Sequence, residues 1–297
     1  MNAIVTAENL SKRYGATTAL REVSFEVQRG EIFGLIGPDG AGKTTLFRIL
    51  ASLLLPDGGS ATVDGNDVVR DYQQIRCAIG YMPGRFSLYQ DLTVEENLRF
   101  FATIFSTTIE ENYHLIADIY RQIEPFKTRK AGKLSGGMKQ KLALCCALIH
   151  KPVALLLDEP TTGVDPVSRK EFWEMLKCLR QQNITIVVST PYMDEATLCD
   201  RIALIQHGSL LSIDTPANIA ARYPRKLYAV TSDSSYRLLE PLRRHPQVHS
   251  AYIFGDSVHV STINDEPLIL NPDMRGVESC QQIQACIEDC FIDMTQK

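Results

Sequence analysis

Gly37, Gly42, Lys43 and Thr44 stand at the spacing Gly, four residues, Gly-Lys-Thr, within Glu31–Leu55, EIFGLIGPDGAGKTTLFRILASLLL. That arrangement handles a polyphosphate. Glycines at 37, 40 and 42 let backbone N–H groups curl round an anion without Cβ clashes. A helix opening near Lys43 adds its positive end. Lys43 is placed to reach β- and γ-phosphates, and Thr44 to ligate Mg²⁺. The apolar run Ile32 to Ile36 reads as a buried strand ahead of the turn, and an apolar-periodic helix follows it. At ordinary glycine usage a chance match occurs in on the order of one chain in a hundred, and the strand-turn-helix context lowers that further. The stretch reads as a nucleotide site.

Two further features carry chemistry. The apolar run Val153 to Leu157 delivers Asp158 and Glu159 at its end. A carboxylate at the carboxyl end of a buried strand can hold Mg²⁺, and its neighbour can activate water. Adjacent acids after a strand are common in loops, and the phosphate loop upstream is what gives this pair meaning. Leu134-Ser-Gly-Gly-Met-Lys-Gln140 is a second glycine-rich helix start, running into the apolar segment Lys141 to Ile149. It lacks a phosphate-loop lysine and on its own reads as a capping turn. Even so, Ser135 is a good cap, and Gly136 and Gly137 strip side chains from a helix N-terminus, which suits close approach of an anion.

The elements that must position these residues are legible in outline. Residues 3 to 27 read as two strands joined at Gly15, with Val23, Phe25 and Val27 alternating as in a half-buried antiparallel sheet. Tyr14 beside that turn reads from the residues alone as a surface tyrosine. Pro56 to Gly59 break the first helix, and Ala61 to Val63 with Asp64-Gly65 give a strand and tight turn. Ile75 to Met82 is a strand candidate ended by Pro83-Gly84. A helical insert covers about 93 to 124, opened by the capping box Thr93-Val-Glu-Glu96, its face of Leu98, Phe101, Ala102 and Phe105 read as core. Beyond the acids come a helix Pro166 to Gln181, a strand Ile184 to Ser189, a helix Met193 to Leu198, and a strand pair over 201–213 turning at His207-Gly208. From about 225 a small α+β appendage follows: strand Leu227 to Thr231, helix Tyr236 to Arg244, hairpin Val248 to Ile263 about Gly255-Asp256, and a helical piece Gln281 to Met294. His245, His249 and His259 lie there without a cluster of acids or cysteines, and read as surface or packing residues.

The whole chain bounds the function classes. Its 297 residues suffice for one large or two modest domains, and 44% hydrophobic with 22% charged residues is ordinary for a globular protein. A net charge of −4 argues against a nucleic-acid partner. No apolar run approaches the roughly 20 residues of a membrane span, and the first residues do not read as a signal peptide. The expectation is a cytosolic protein, or one tethered through a partner. Eight cysteines without a Cys-x-x-Cys pair read mainly as buried reduced thiols rather than a metal site.

The wording and order of the motifs resemble the ATP-binding subunits of ABC transporters, within them the ABC-2 group serving exporters with separate membrane subunits. GPDGAGKTT at 37–45, LSGGMKQ at 134–140, LLLDEP at 155–160 and GVDP at 163–166 stand in family order, over about residues 3 to 220. Glu288 to Ile292 is more weakly similar to the family's C-terminal ending. The resemblance implies an α/β P-loop NTPase of ABC type: a RecA-like core, an antiparallel β subdomain and a helical subdomain at about 85–150, in an ATP-binding domain over 1–222. The α+β appendage then covers 225–297. It implies ATP and Mg²⁺ as ligands. Gly37, Pro38, Asp39, Gly40, Ala41, Gly42, Lys43, Thr44 and Thr45 would bind the triphosphate, Tyr14 would stack on adenine, Thr44 and Asp158 would hold the metal, and Glu159 would be the general base. Leu134, Ser135, Gly136, Gly137 and Met138 would act on the site of an opposite subunit, Ser135 and Gly137 meeting its γ-phosphate, and Asp165 would signal across the dimer. Two positions depart from the family pattern: Gly84 stands where a glutamine is usual and Pro191 where a histidine is usual. Both changes touch this chain's own site, so reduced rather than abolished hydrolysis is expected. The implied partners are a second cassette, identical or different, and polytopic permease subunits holding the chain at the inner face of the cell membrane. A non-transport ABC-type regulator, or a near-inactive cassette scaffolding an active partner, are the alternatives.

Overall fold

The computed structural model describes residues 3–264, 266–270 and 276–296. The chain divides into two compact units, Met1–Pro216 and Ala217–Lys297.

In the first unit, β1 (Ala3–Tyr14) and β2 (Thr17–Gln28) form a hairpin, followed by β3 (Ile32–Ile36), α1 (Lys43–Leu50), β4 (Gly58–Val63), β5 (Asn66–Asp67), α2 (Tyr72–Ala78) and β6 (Ile79–Met82). A helical segment holds α3 (Val94–Ile104), α4 (Ile109–Tyr120) and α5 (Gly136–Leu148). Then come β7 (Ala154–Asp158), α6 (Pro166–Gln181), β8 (Thr185–Thr190), β9 (Arg201–Gln206) and β10 (Ser209–Asp214), with α7 (Pro216–Ala221) at the boundary. One sheet has the order β2-β1-β4-β5 and is antiparallel. The other runs β10-β9-β3-β8-β7-β6, parallel except for β10. Every residue of β3, β7 and β8 is buried, which is why their centres read as short apolar runs: parallel strands are covered on both faces. A single core joins the two sheets through α1, with Phe25, Leu35, Phe47, Leu156 and Val187 among its members. The arrangement is the one the motif resemblance implies: a mostly parallel core sheet, an antiparallel sheet beside it and a helical segment.

Registration of the parallel strands decides where chemistry can occur. Ile36 pairs with Thr190, Asp158 with Ser189, and Leu157 with Met82. The loops beginning at Gly37, Pro191, Glu159 and Pro83 therefore all leave the same carboxyl edge, from four neighbouring strands.

Several elements differ from the sequence expectation. The strand expected over Ile75 to Met82 starts only at Ile79. Ile75 is the single buried residue of α2, whose other residues are exposed apart from the half-buried Ala78, so the helix shows no apolar periodicity. Met193–Leu198 is a 3-10 segment rather than an α-helix. Only four of the eight cysteines are buried, 145, 146, 199 and 290, and all eight are free thiols.

The second unit is β11 (Leu227–Ser232), α8 (Ser235–Arg243), β12 (Val248–Phe254), β13 (Ser257–Thr262), β14 (Val277–Ile283) and α9 (Ile287–Thr295). Its antiparallel sheet has the order β12-β13-β11-β14. Leu238 and Leu242 of α8 pack with Val230, Val248, Val258 and Val260. The helix expected over Gln281 to Met294 begins only at Ile287, because Gln281–Ile283 belong to β14, a mostly exposed edge strand held by its ladder to β11. His259 is one of the packing residues, and it has an acidic partner that the sequence does not reveal. It is buried, its Nδ1 lies 2.7 Å from Asp289 Oδ1, and the Phe254 ring stacks on it at 4.3 Å. Tyr252 OH donates to the same oxygen at 2.6 Å, and Cys286 N–H donates to Asp289 Oδ2 at 2.7 Å. Among the described residues no group of three His, Cys, Asp or Glu side chains could hold a metal ion.

Candidate active site

The turn between β3 and α1 takes its shape from glycine. Gly42, the N-cap of α1, has φ +107°, and a Cβ there would lie 2.4 Å from Ala19 O. A Cβ on Gly37 would lie 2.2 Å from Ile205 O. Neither position accepts a side chain, and the backbone cradle survives only with glycine. Ala19 sits two residues past the first residue of β2, so the hairpin end that carries Tyr14 is anchored beside this turn. Tyr14 itself is 46% exposed, with Lys12 Nζ 5.9 Å from its ring centre.

Lys43 is 3% exposed, and its ammonium is closely held. It donates to Gly37 O at 2.8 Å and to Pro38 O at 3.0 Å, and pairs with Glu159 Oε1 at 3.0 Å. The cation of the turn and Glu159, the acid that follows β7, are thus in direct contact. Glu159 has φ +51°, a left-handed conformation uncommon for a residue with a side chain. Its N–H is fixed by Ser189 O at 3.1 Å and Ser189 Oγ at 3.0 Å.

Asp158 is 1% exposed and accepts a hydrogen bond from Ser189 Oγ at 2.7 Å, while Thr44 also hydrogen-bonds its carboxylate. Burial pushes its pKa above the usual carboxylate range, and the hydrogen bonds offset only part of that. A desolvated carboxylate beside a threonine hydroxyl is a fit donor pair for a hard divalent cation. Tyr81 is pushed up to about 12, by burial and then by the charge of Asp158, so its hydroxyl keeps its proton.

An open cleft of about 820 Å³ brings Thr44, Asp158, Glu159 and Gly84 together, with Arg48, Arg85 and Thr162 on its walls. A Cβ on Gly84 would lie 3.1 Å from Asp158 O and 3.8 Å from its Oδ2, so position 84 faces the acid. Leu134–Met138 do not line the cleft. Ser135 caps α5, accepting from Met138 N–H at 3.4 Å, and Gly137 is buried against α6: a Cβ there would lie 2.6 Å from Ser168 Oγ. Asp165 caps α6 through the N–H groups of Val167 and Ser168, which holds its carboxyl below the usual range. Sequence reasoning missed Ser189, Arg85 and Thr162. Ser189 is significant only because β8 lies beside β7, and the sequence carries no signal for that adjacency.

Comparison with known proteins bears on the family and the fold. Residues 20–162 match the family described as ABC transporter. The "Probable multidrug ABC transporter ATP-binding protein YbhF" of Escherichia coli is 39% identical over 304 residues, covering 99% of this chain and 52% of that protein. The chain thus spans about half the length of that relative. The "Nod factor export ATP-binding protein I" of Burkholderia orbicola is 34% identical over 299 residues, covering 99% of this chain and 97% of the relative. Among solved structures, "Dimeric Structure of MJ0796, a Bacterial ABC Transporter Cassette" superposes with a TM-score of 0.65 at 26% identity, covering 71% of this chain and 98% of that one.

Proposed function

We propose, for a chain that belongs to the ABC transporter family of ATP-binding subunits, that it hydrolyses ATP at the β3–α1 turn and drives separate membrane-embedded export subunits. The observation that carries the reading is the contact of Lys43 with Glu159 beside the buried Asp158–Thr44 pair. Lys43, Gly37–Thr45 and the start of α1 bind the triphosphate, and Tyr14 stacks on the base. Thr44 and Asp158 would hold Mg²⁺, which would supply charge neutralisation at the phosphates. When the γ-phosphate competes for Lys43, Glu159 is freed to take the proton of the attacking water. The name of the Nod factor export protein supports export, that of YbhF supports transport, and the dimeric MJ0796 cassette supports closure of two cassettes around nucleotide. Ser135–Met138 then meet the γ-phosphate held by the second cassette. Among the described residues no helix is long and apolar enough to cross a membrane, which suits a subunit held at the inner face of the membrane by a permease.

A second reading is favoured by a specific pair of residues. Gly84 on this cleft and Pro191 after β8 stand where the family usually carries a glutamine and a histidine, so on this reading the chain is a slow cassette supporting a faster partner. One experiment addresses the nucleotide site itself. Lys43→Ala is expected to remove most MgATP affinity in calorimetry, and unchanged affinity would sink the assignment. Co-purification with a polytopic membrane protein tests the transport role, and steady-state turnover distinguishes the fast cassette from the slow one.

A further inference from the structure

The loops after β7 and β8 carry Glu159 and Pro191, and a buried cluster ties one to the other. Thr161 Oγ1 donates to Glu195 Oε2 at 3.2 Å, each residue being 1% exposed. The Glu195 N–H donates to Tyr192 O at 3.3 Å, one residue past Pro191. The other carboxylate oxygen, Oε1, lies 3.8 Å from Arg169 Nε, and neither atom has a hydrogen-bond partner among the described residues. Arg169 stands in the first turn of α6. Its guanidinium carbon is 4.1 Å from the Tyr192 ring centre, its Nη1 is 3.7 Å from Asp194 Oδ2, and its backbone N–H donates to Asp165 O at 2.9 Å. Its neighbour Ser168 is the residue against which Gly137 packs. One arginine therefore touches the Pro191 loop from the helix that Asp165 caps.

A buried carboxylate oxygen and a guanidinium N–H that face each other at this distance have lost water without gaining a bond, which is unfavourable for both. A relative shift of about 1 Å converts the contact into a charge-assisted hydrogen bond. Proline at 191 has no N–H and no side-chain donor with which the loop could be placed by substrate. The loop's position rests instead on Tyr192 and Glu195.

We propose that Arg169, with Glu195 and Thr161, is a latch that holds the Glu159 loop and the Pro191 loop in register for hydrolysis. Arg169 is a positioning residue that acts through Tyr192 and Glu195, and the proposal rests on the nucleotide-site reading above. Trp173, the only tryptophan of the chain, lies one turn along α6. It is 2% exposed, its Nε1 has no partner among the described residues, and it lines the same cleft as Arg169 and Glu195, so its emission reports on the cluster.

The test uses the full chain, MgATP, and the variants Arg169→Met, Arg169→Lys and Glu195→Gln. MgATP is expected to shift Trp173 emission in the parent. Arg169→Met should erase that shift and lower kcat by on the order of tenfold or more, with KM and calorimetric affinity changed less than about twofold. Arg169→Lys keeps the charge and should restore part of both effects. Glu195→Gln keeps the shape and the Thr161 bond, should show the same losses as Arg169→Met, and carries the test where Arg169→Met folds poorly. The latch is overturned if Arg169→Met and Glu195→Gln match the parent in kcat and emission response, or if their affinity falls in step with kcat. Where the parent binds MgATP without turnover, the emission response alone decides. A parent that does not bind MgATP overturns the nucleotide-site reading, and the latch with it.

Discussion

Asp158 shows how the site sacrifices stability for chemistry. Burial raises its pKa, so the fold favours the protonated form. A carboxylate with a raised pKa contributes its stability below its unfolded value and loses it as pH rises through the folded one. At neutral pH an ionised Asp158 therefore weakens the fold, and a bound cation would relieve that. Asp158→Asn is expected to raise the unfolding midpoint by about 2–4 °C for each ~1 kcal/mol recovered, while abolishing the Mg²⁺ dependence of ATP binding. Calorimetry of unfolding and of binding on the same variant checks both halves. On the proposed reading, Pro191 limits the site differently, by withholding a donor. Pro191→His should raise turnover by roughly ten- to a hundredfold, the value of one hydrogen bond felt in the transition state. A well-folded Pro191→His with unchanged kcat would show that another group already fills the role.

At the scale of elements, what the sequence disclosed follows from how each element is buried. β3, β7 and β8 were legible because both faces are covered and their central residues are apolar. The capping box at Thr93 was legible because its partners are three residues apart, and Thr93 and Glu96 do bond reciprocally. α2 and β14 were not legible. One buries a single isoleucine, and the other is an exposed edge whose hydrogen bonds lie across the sheet. In the same way Ser189 under Asp158 and Thr161 on Glu195 depend on strand adjacency and leave no local pattern. The Asp289 cluster, hidden for that reason, carries a prediction. Burial pushes the Asp289 pKa up, but hydrogen bonds from His259, Tyr252 and the Cys286 backbone and side chain outweigh it, and the net shift is downward. A depressed carboxylate contributes stability above its unfolded value near ~3.9 and loses it as pH falls through the folded one. The second unit should therefore weaken below about pH 4. Asp289→Asn should be less stable at pH 7 by about 1–3 kcal/mol, and should lose less on acidification than the parent. Unfolding curves at pH 7 and at low pH that run parallel for the two proteins would contradict this.

For the whole molecule, the distribution of intact and altered residues sets the sharpest test. The proposed composite site takes its phosphate turn and acids from one cassette and Ser135–Met138 from the other. In this chain the first set carries Gly84 and Pro191, and the second is complete. If the physiological partner is a different cassette with the usual residues, most hydrolysis should occur on the partner's phosphate turn. A carboxylate introduced into the Ser-Gly-Gly element would then stop turnover by repelling that γ-phosphate. The structure selects the position for it. Gly137 is packed on Ser168, and a side chain there would disturb α6 as well. A Cβ on the exposed Gly136 meets nothing closer than Gly163 O at 3.7 Å, an ordinary contact. In a heterodimer, Gly136→Asp should abolish ATPase activity of the reconstituted transporter while Lys43→Ala in the same chain is much milder. In a homodimer each change strikes both sites, and both should be severe. Equal, severe losses in an assembly shown to contain two different cassettes would reject the asymmetry. A mild Gly136→Asp phenotype in either assembly would reject the composite site itself.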